Sequence, residues 1–502
     1  MRDFIKSRAV SRGKPRSCFT KLDSWLKPEP RIEPSLLARA DSPTEFDERL
    51  ASCATPDEAV AVLNERHFII RVGNRYVAGD ERPAEPVRLL PFEEFRKRYM
   101  SYSFPAADGK RHLMLGTIYF RHPARRLFDG ELVCRPPGSS TPARSIDYNL
   151  WRGLAIHPKP GDWSLFREHI QSNVCGKNQE HFDYLINWMA LAVQQPGRLP
   201  GVAVVVIGRE GTGKSAFFHW FAEVFPVEHT LQITSPRHLV GHFNALLSGR
   251  IVVLADEAVL PADDGSVGML HSLVTERRRI IERKGIDPYE EDNCVHLVIA
   301  SNHDSVVRAS REARRYFVLR MSDERMQDTA YFNAISAQQT SGGKEAMLHD
   351  LLSIDLSNFD PFHFPRTEAL REQIDWSRKP HEAWLKELLT EARPEKWVPL
   401  KDKDDVYDRY RNWVADMRRG QPITLSQLCK YLVRVLGPEI LIRKRFAGRQ
   451  VRKLHFPLLD VCRRRFDPNE RWPDTDDKQP SLRLTRRKRF AVQLKPTRKT
   501  KG

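Results

Sequence analysis

The run VAVVVI (Val202–Ile207) passes without a break into GREGTGKS (Gly208–Ser215) and then into AFFHWFAEVF. An uninterrupted apolar run of this kind leaves no polar face, so the strand it forms is covered on both sides. The glycine-rich segment fits G-x-x-x-x-G-K-[ST] without a mismatch. In that pattern the backbone N–H groups of Gly208, Arg209, Glu210, Gly211, Thr212 and Gly213 wrap an anion. Lys214 then reaches the terminal phosphates and the Ser215 hydroxyl faces Mg²⁺. The segment that follows reads as a helix, and its N-terminus adds partial positive charge at the same spot.

A phosphate-binding loop alone hydrolyses nothing. It needs an acid for the metal and a base for water. RIVVLADEA (Arg250–Ala258) supplies an apolar strand ending in Asp256-Glu257. An acid at a strand's C-terminal end lies on the ligand edge of a parallel sheet. Asp256 is the expected metal ligand and Glu257 the expected water base; the alternative for this pair is a helix cap. HLVIASN (His296–Asn302) brings Asn302 to the tip of a further strand, where an amide can orient the water or sense the γ-phosphate. The alternative there is a turn residue. In REARRYFVLR (Arg311–Arg320), Arg314 and Arg315 precede another apolar strand. Either can reach a neighbouring subunit's nucleotide, against the alternative of a surface basic pair. Strand, loop, helix, strand, helix, strand from Val202 to about Ser322 predicts an α/β core with a parallel sheet and crossover helices.

The flanks divide by composition. Residues 1–57 read as a basic, proline-containing arm with one helix near Pro43–Ser52. Residues 58–147 read as a small α+β region, with HFIIRV and RYVAG forming a hairpin about Gly73-Asn74. A helical stripe covers 163–194 and stops at Gln195-Pro196-Gly197; TSGGK (340–344) reads as a loop. Leu370–Ala392 reads as helical with a break near Pro380.

Charge separates the C-terminus from the rest. The chain of 502 residues carries a formal net charge of +17. Residues 401–502 hold 28 Lys and Arg against 12 Asp and Glu, while the first 400 hold 54 against 53. A basic end on a neutral body points to a polyanionic partner. Residues 401–467 read as a winged-helix-like DNA-binding module. Val406, Tyr410, Trp413, Val414 and Met417 form one helical stripe, and Thr424 with Gln427 caps a second helix. A hairpin about Phe446-Ala447-Gly448 and a third helix, Leu458–Phe466, follow. The expected phosphate contacts are Arg443, Lys444, Arg445, Arg449, Arg452 and Lys453. Residues 468–502 read as a basic, disordered tail. The seven cysteines form no CxxC pair, so neither a zinc site nor a disulfide framework is indicated. No apolar run approaches the ~20 residues that a spanning helix needs. The expected setting is the cytoplasm of a bacterial host cell, near its nucleoid, with no membrane contact.

GREGTGKS, VVLADEA, VIASN and the trailing ARRYFVL, in this order, resemble superfamily 3 helicases. The likeness is to the bacteriophage and prophage branch, often labelled primase-helicase or virus-type helicase. LVTERRRIIERKGIDPYEEDNCVHLVIASNHD and PRTEALREQIDWSRKPHEAWLKELL carry the same likeness, which spans about Tyr148–Leu389. It implies an AAA+ domain over about 148–392, flanked by helices. It implies a homo-hexameric ring with ATP and Mg²⁺ between subunits, and translocation on single-stranded DNA, usually 3′ to 5′. It also implies channel cations, for which Arg283 and Lys284 match the family's ERKG stretch better than Arg277–Arg279 do. Lys214, Ser215, Asp256, Glu257 and Asn302 carry over directly, and Arg315, with Arg314 as the alternative, is the matching arginine finger.

The expected activity is an ATP-dependent DNA helicase of a bacteriophage or mobile element, working in replication beside other replication proteins. Priming is not expected, because residues 1–147 show no carboxylate cluster of their own. Two rivals stand beside this reading. One is a replication-initiator or DNA-packaging ATPase that separates no strands. The other is a DNA-binding regulator that uses ATP as an assembly switch, for which a water base such as Glu257 has no purpose.

Overall fold

The computed structural model describes residues 43–473, apart from 84, 107–109, 242, 258–262, 285, 311–312, 398–399, 418–419, 447–448, 469 and 471. Most of the expected N-terminal arm, the tip of the C-terminal hairpin and the basic tail lie outside the described residues. The chain parts into two compact units between Ser377 and Arg378.

The first unit is built on a five-stranded parallel sheet. Its strands are β1 (Ala203–Ile207), β2 (Thr230–Ile233), β3 (Val252–Asp256), β4 (His296–Ser301) and β5 (Tyr316–Arg320). Their order across the sheet is β2-β3-β4-β1-β5, and every pairing is parallel. The α/β core is thus as expected. Alternate residues of β1 serve opposite layers, which is why its sequence is apolar throughout. Val204 and Val206 pack with Trp188, Phe217 and Phe221 on one side. Ala203, Val205 and Ile207 pack with Leu239, Leu270, Val295 and Leu370 on the other. All five side chains are buried. Burying each valine or isoleucine stabilises the fold by about 1.5–3 kcal/mol before entropy is counted.

The chain leaves β1 for the far edge at β2, returns through β3 and β4, and crosses β1 to reach β5. The order therefore reverses beside β1. In open parallel sheets the ligand crevice lies outside the carboxyl ends of the strands at such a point. Gly208 directly follows the end of β1.

Three elements of this unit were not read from sequence. Strand β2 (TLQI) is short, lies at the sheet edge and has only Ile233 buried. Arg278–Arg283 and Ile286–Asp292 form an antiparallel hairpin between β3 and β4. Its inner residues Ile281 and Tyr289 share a core with Phe68, Ile70, Val72 and Val77 of the N-terminal region. The stripe over 163–194 is interrupted: a short helix, Ser164–His169, runs into a π-helical turn, Ile170–Val174. Gly176 and Lys177 then take positive φ before Asn178 caps Gln179–Gln194. The expected loop at 340–344 is instead a kink in a helical path, placed by the non-helical Ser341 and Gly342 between Thr329–Gln338 and Lys344–Ser353.

The N-terminal region forms the expected hairpin, His67–Val72 on Arg75–Asp80, turning at Gly73 with φ +58°. The expected first helix is Pro43–Ala51. Thr55 and Glu58 form a capping box on the next, Pro56–Arg66. Asp80 is fully buried beneath Arg66, Arg82 and Arg98. Burial alone would raise its carboxyl, but Arg66, His67 and Arg98 hold it well below the usual range.

The second unit runs helix Pro380–Glu391, strand Leu400–Asp402, helices Lys403–Met417 and Leu425–Leu436, strands Leu441–Phe446 and Arg449–His455, and helix Leu459–Phe466. Strand 400–402, absent from the sequence reading, pairs with 449–455, which pairs in turn with 441–446. Trp384, Tyr410, Leu432, Leu454, Phe456 and Phe466 belong to one core, so Pro380–Glu391 packs within this unit. Thr424 and Gln427 form the expected capping box. Met417 does not belong to the buried stripe; at the last turn of its helix it is 49% exposed.

Candidate functional site

Gly208–Gly213 connects β1 to the helix Lys214–Ala222. Gly211 and Gly213 stand at φ +79° and +93°, a region that side chains with a Cβ avoid. A Cβ on Gly213 would meet the Phe332 ring at 2.5 Å. The loop is braced from within and behind: Thr212 Oγ1 donates to the Arg209 carbonyl at 2.8 Å, and Gln327 N donates to the Gly211 carbonyl at 2.9 Å.

Lys214 is buried and folds back over the loop. Its Nζ donates to the carbonyls of Gly208 at 2.9 Å and Arg209 at 2.8 Å. Burial lowers the ammonium's pKa from its ordinary value; Asp256, Glu257, Glu210 and Asp323 oppose the shift. Ser215 Oγ lies 3.1 and 3.0 Å from the two carboxylate oxygens of Asp256 at the end of β3. Gln232, on β2, donates from Nε2 to Asp256 Oδ2 at 2.8 Å. Glu257, one residue on, has φ +52°. Its N–H donates to the Ala300 carbonyl of β4 at 2.9 Å, and Asn302 Nδ2 donates to its Oε1 at 3.3 Å.

Lys214, Ser215, Asp256, Glu257 and Asn302 therefore meet at the carboxyl edge of β1, β3 and β4. Gln232 was not foreseen; only the spacing of an unread edge strand would have exposed it. A hydroxyl and a carboxylate in contact form a hard-oxygen pair suited to Mg²⁺ with its waters and phosphate oxygens. Among the described residues no group of three or more His, Cys, Asp or Glu side chains is gathered to hold a metal.

Arg314 and Arg315 are not brought to this site. Arg315 precedes Tyr316, which pairs with Ala203 at the amino end of β1. The loop lies at the other end, about 16 Å away at ~3.3 Å per residue. Arg314 is exposed, and Arg315 Nε is buried without a hydrogen-bond partner among the described residues.

Of the expected DNA contacts, Lys284 is exposed at the hairpin turn, whereas Arg283 is half-buried. Arg279 is turned inward, 3.2 Å from Glu291. In the second unit Arg443 stands opposite Arg452, Lys444 opposite Val451, Arg445 opposite Gln450, and Ile442 opposite Lys453; Arg449 pairs with Phe446. The helix Leu425–Leu436, between the first two helices and the hairpin, shows Ser426, Gln427, Lys430 and Arg434 to solvent. Sequence reasoning assigned no contact to this outer face. No helix among the described residues is long and apolar enough to cross a membrane.

Residues 206–315 match the model of a family described as a family of unknown function, DUF5906. No curated protein matches the chain. Among solved structures, the chain resembles the apo structure of the NrS-1 C-terminal region (305–718), with a TM-score of 0.54 and 14% identity over 79% of this chain and 98% of that one. A second, A-form apo structure of the same region gives a TM-score of 0.54 and 15% identity over the same shares. At such identity the likeness is one of fold, and it extends well beyond the matched segment 206–315.

Proposed function

We propose that this chain is an ATP-hydrolysing DNA helicase of a bacteriophage or other mobile element, acting as a ring in replication. The observation that carries the reading is the meeting of Ser215 and Asp256 at 3.0 Å beside the phosphate-loop lysine, with Glu257 and Asn302 at adjoining strand ends. The superfamily 3 pattern of the sequence and the reversal of strand order beside β1 support it.

In this reading the loop amides and Lys214 hold the β- and γ-phosphates of ATP. Lys214 exchanges its two carbonyl partners for phosphate oxygens. Ser215 and Asp256 would hold Mg²⁺, which would neutralise charge on the phosphates. Glu257 accepts a proton from the attacking water, and Asn302 fixes the carboxylate that does so. The site is incomplete on its phosphate-facing side, since Arg315 lies at the far edge of its own sheet. A neighbouring copy's Arg315 completes it, which supports a ring. The second unit holds DNA. Its order of helix, strand, two helices and hairpin supports the winged-helix reading, with the hairpin cations and the face of Ser426, Gln427, Lys430 and Arg434 toward the duplex.

Displacement of a strand from a tailed duplex tests the proposal. Wild type displaces the strand with ATP; Lys214→Ala and Glu257→Gln do not. DNA-stimulated hydrolysis without displacement would assign a motor or initiator instead, and no hydrolysis in any form would remove the enzyme reading.

A further inference from the structure

A cavity of about 500 Å³ opens away from the phosphate loop, between the N-terminal sheet and the amino ends of β2 and β3. That volume lies in the range of small-molecule sites. Val87, Leu90, Leu150 and Ala245 supply apolar wall, and the charged lining is four arginines, Arg88, Arg152, Arg250 and Arg283, with two glutamates, Glu85 and Glu228.

These arginines differ in how their charge is met. Arg88 pairs with Glu85 at 2.7 Å and Arg152 with Glu81 at 2.6 Å. Arg250 and Arg283 have no carboxylate contact among the described residues. Arg250 is only 8% exposed. Its Nη1 donates to the carbonyls of Val227, Glu228 and Thr230 at 2.8–3.0 Å, and its Nε to that of Leu246 at 3.0 Å. These bonds fix the guanidinium without neutralising it, and its Nη2 makes none among the described residues. Arg283 lies near enough to Tyr289 to oppose the rise of the phenol's pKa, and its Nε is buried without a hydrogen-bond partner among the described residues. Burial lowers the pKa of Arg250 from its ordinary value; the Glu228 carboxylate opposes that shift and the Arg283 charge adds to it. His229, also in the wall, is kept neutral, because burial takes it down to about 4.

Two guanidiniums with unused donors and no carboxylate in direct contact among the described residues, one of them fixed by four carbonyl bonds, stand beside an apolar wall and suit a planar or tetrahedral oxyanion attached to an apolar body. We propose that this cavity is a second phosphate site, which takes a nucleotide or one nucleotide unit of a nucleic-acid strand, its phosphate between Arg250 and Arg283. The site is separate from the phosphate loop. A ligand there joins the N-terminal sheet, the 278–292 hairpin and the start of the strand that carries Asp256. The inference does not depend on the helicase reading.

The test uses the full chain with Lys214→Ala, which disables the phosphate loop, and two probes: dAMP and a short oligo-dT. Titration calorimetry is repeated with Arg283→Gln and with Arg250→Lys added, and thermal melting checks the fold. Should Arg250→Lys not fold, Leu246→Glu, which places a carboxylate at the exposed cavity rim, replaces it. One dAMP per chain, weakened about tenfold or more by each substitution, establishes a nucleotide site. No dAMP binding, but oligo-dT binding weakened by both, assigns the ligand to a strand. Binding of neither probe, binding that both variants leave unchanged, or weakening by Arg283→Gln alone overturns the proposal.

Discussion

Asn302 Nδ2 donates to Glu257 Oε1 at 3.3 Å, and Glu257 holds that position with φ at +52°. The backbone N–H of Glu257 is anchored to the Ala300 carbonyl, so the unfavourable φ is imposed by the pairing of β3 with β4. A left-handed residue with a Cβ costs on the order of 1 kcal/mol. That cost is tolerated where a side chain must be aimed. Glu257→Gln keeps the shape and removes the proposed proton acceptor. Its expected phenotype is unchanged nucleotide binding with hydrolysis reduced about 10²–10⁴-fold. Glu257→Gly is equally inactive but more stable than Glu257→Ala by about 1 kcal/mol, since glycine accepts the backbone. Urea titrations of the two variants check this; equal midpoints would show that φ carries no strain.

Gln232 tests the metal side of the site. Its amide donates to the same Asp256 oxygen that Ser215 approaches. An outer partner of this kind orients the ligand rather than reacting. Gln232→Leu is expected to raise the Mg²⁺ concentration for half-maximal hydrolysis about tenfold, with a smaller loss at saturating Mg²⁺. An unchanged Mg²⁺ dependence would leave Gln232 as an edge-strand residue only.

The contrast between Gln232 and Lys214 shows what this sequence makes legible. Local signals were enough for the placement of these residues: β1 had to be apolar because both its faces are covered, and Gly211 and Gly213 had to be glycines because they take positive φ. Asp256 was legible for the same reason, as an acid ending an apolar strand. Strand β2 was not, because an edge strand with one buried residue has no period to read. The 278–292 hairpin was missed because its charges, including Arg278 paired with Glu290, hide an alternation whose buried apolar residues, among those described, are Ile281 and Tyr289. Strand 400–402 depends on a partner fifty residues away, which no local pattern announces. Met417 fits a helical period yet ends its helix in solvent, where the stripe has nothing left to cover.

Acid sensitivity follows from buried imidazoles. His67, His169, His229 and His296 are all taken down to about 4, chiefly by burial. The unfolded chain binds these protons near pH 6.5, whereas the folded chain binds them only near pH 4. Stability contributed by the neutral rings is thus present above pH 6.5 and lost as pH falls toward 4. Each fully uncompensated histidine costs about 1.4 kcal/mol per pH unit in that window. Urea unfolding at pH 7, 6 and 5 is expected to show a progressive fall, and a flat profile from pH 7 to 5 would contradict the neutral assignment.

The second unit gives a salt-dependence prediction. Its core includes Trp384 and Leu385, so a cut at Lys401 would split it, whereas a cut after Ser377 falls between the units. The chain ending at Ser377 is expected to bind duplex DNA more weakly and with a flatter dependence of log K on log salt. The slope falls by about 0.9 for each phosphate contact removed. In the full chain, Lys430→Glu with Arg434→Glu reproduces part of the change through the exposed helix face. A slope unchanged by either alteration would place the duplex contact elsewhere.

Arg315 makes the sharpest distinction, because it lies at the opposite end of the sheet from its own chain's glycine loop. It begins β5, beside the amino end of β1, while the phosphate loop leaves the carboxyl end. If a neighbour's Arg315 completes each site, Arg315→Ala loses hydrolysis by ~10³-fold or more with nucleotide affinity largely kept. Lys214→Ala is inactive for a different reason, since it cannot hold the phosphates. Mixing the two inactive chains then restores activity. An Arg315→Ala subunit offers an intact loop, and an adjacent Lys214→Ala subunit offers the missing arginine. With random assembly in equal amounts, about a quarter of the head-to-tail interfaces carry both intact halves. Hydrolysis in the mixture is therefore expected to far exceed that of either chain alone and to depend on the mixing ratio, with its maximum near equality. An arginine that only braces β5 would give no recovery at any ratio, because neither chain would then supply what the other lacks.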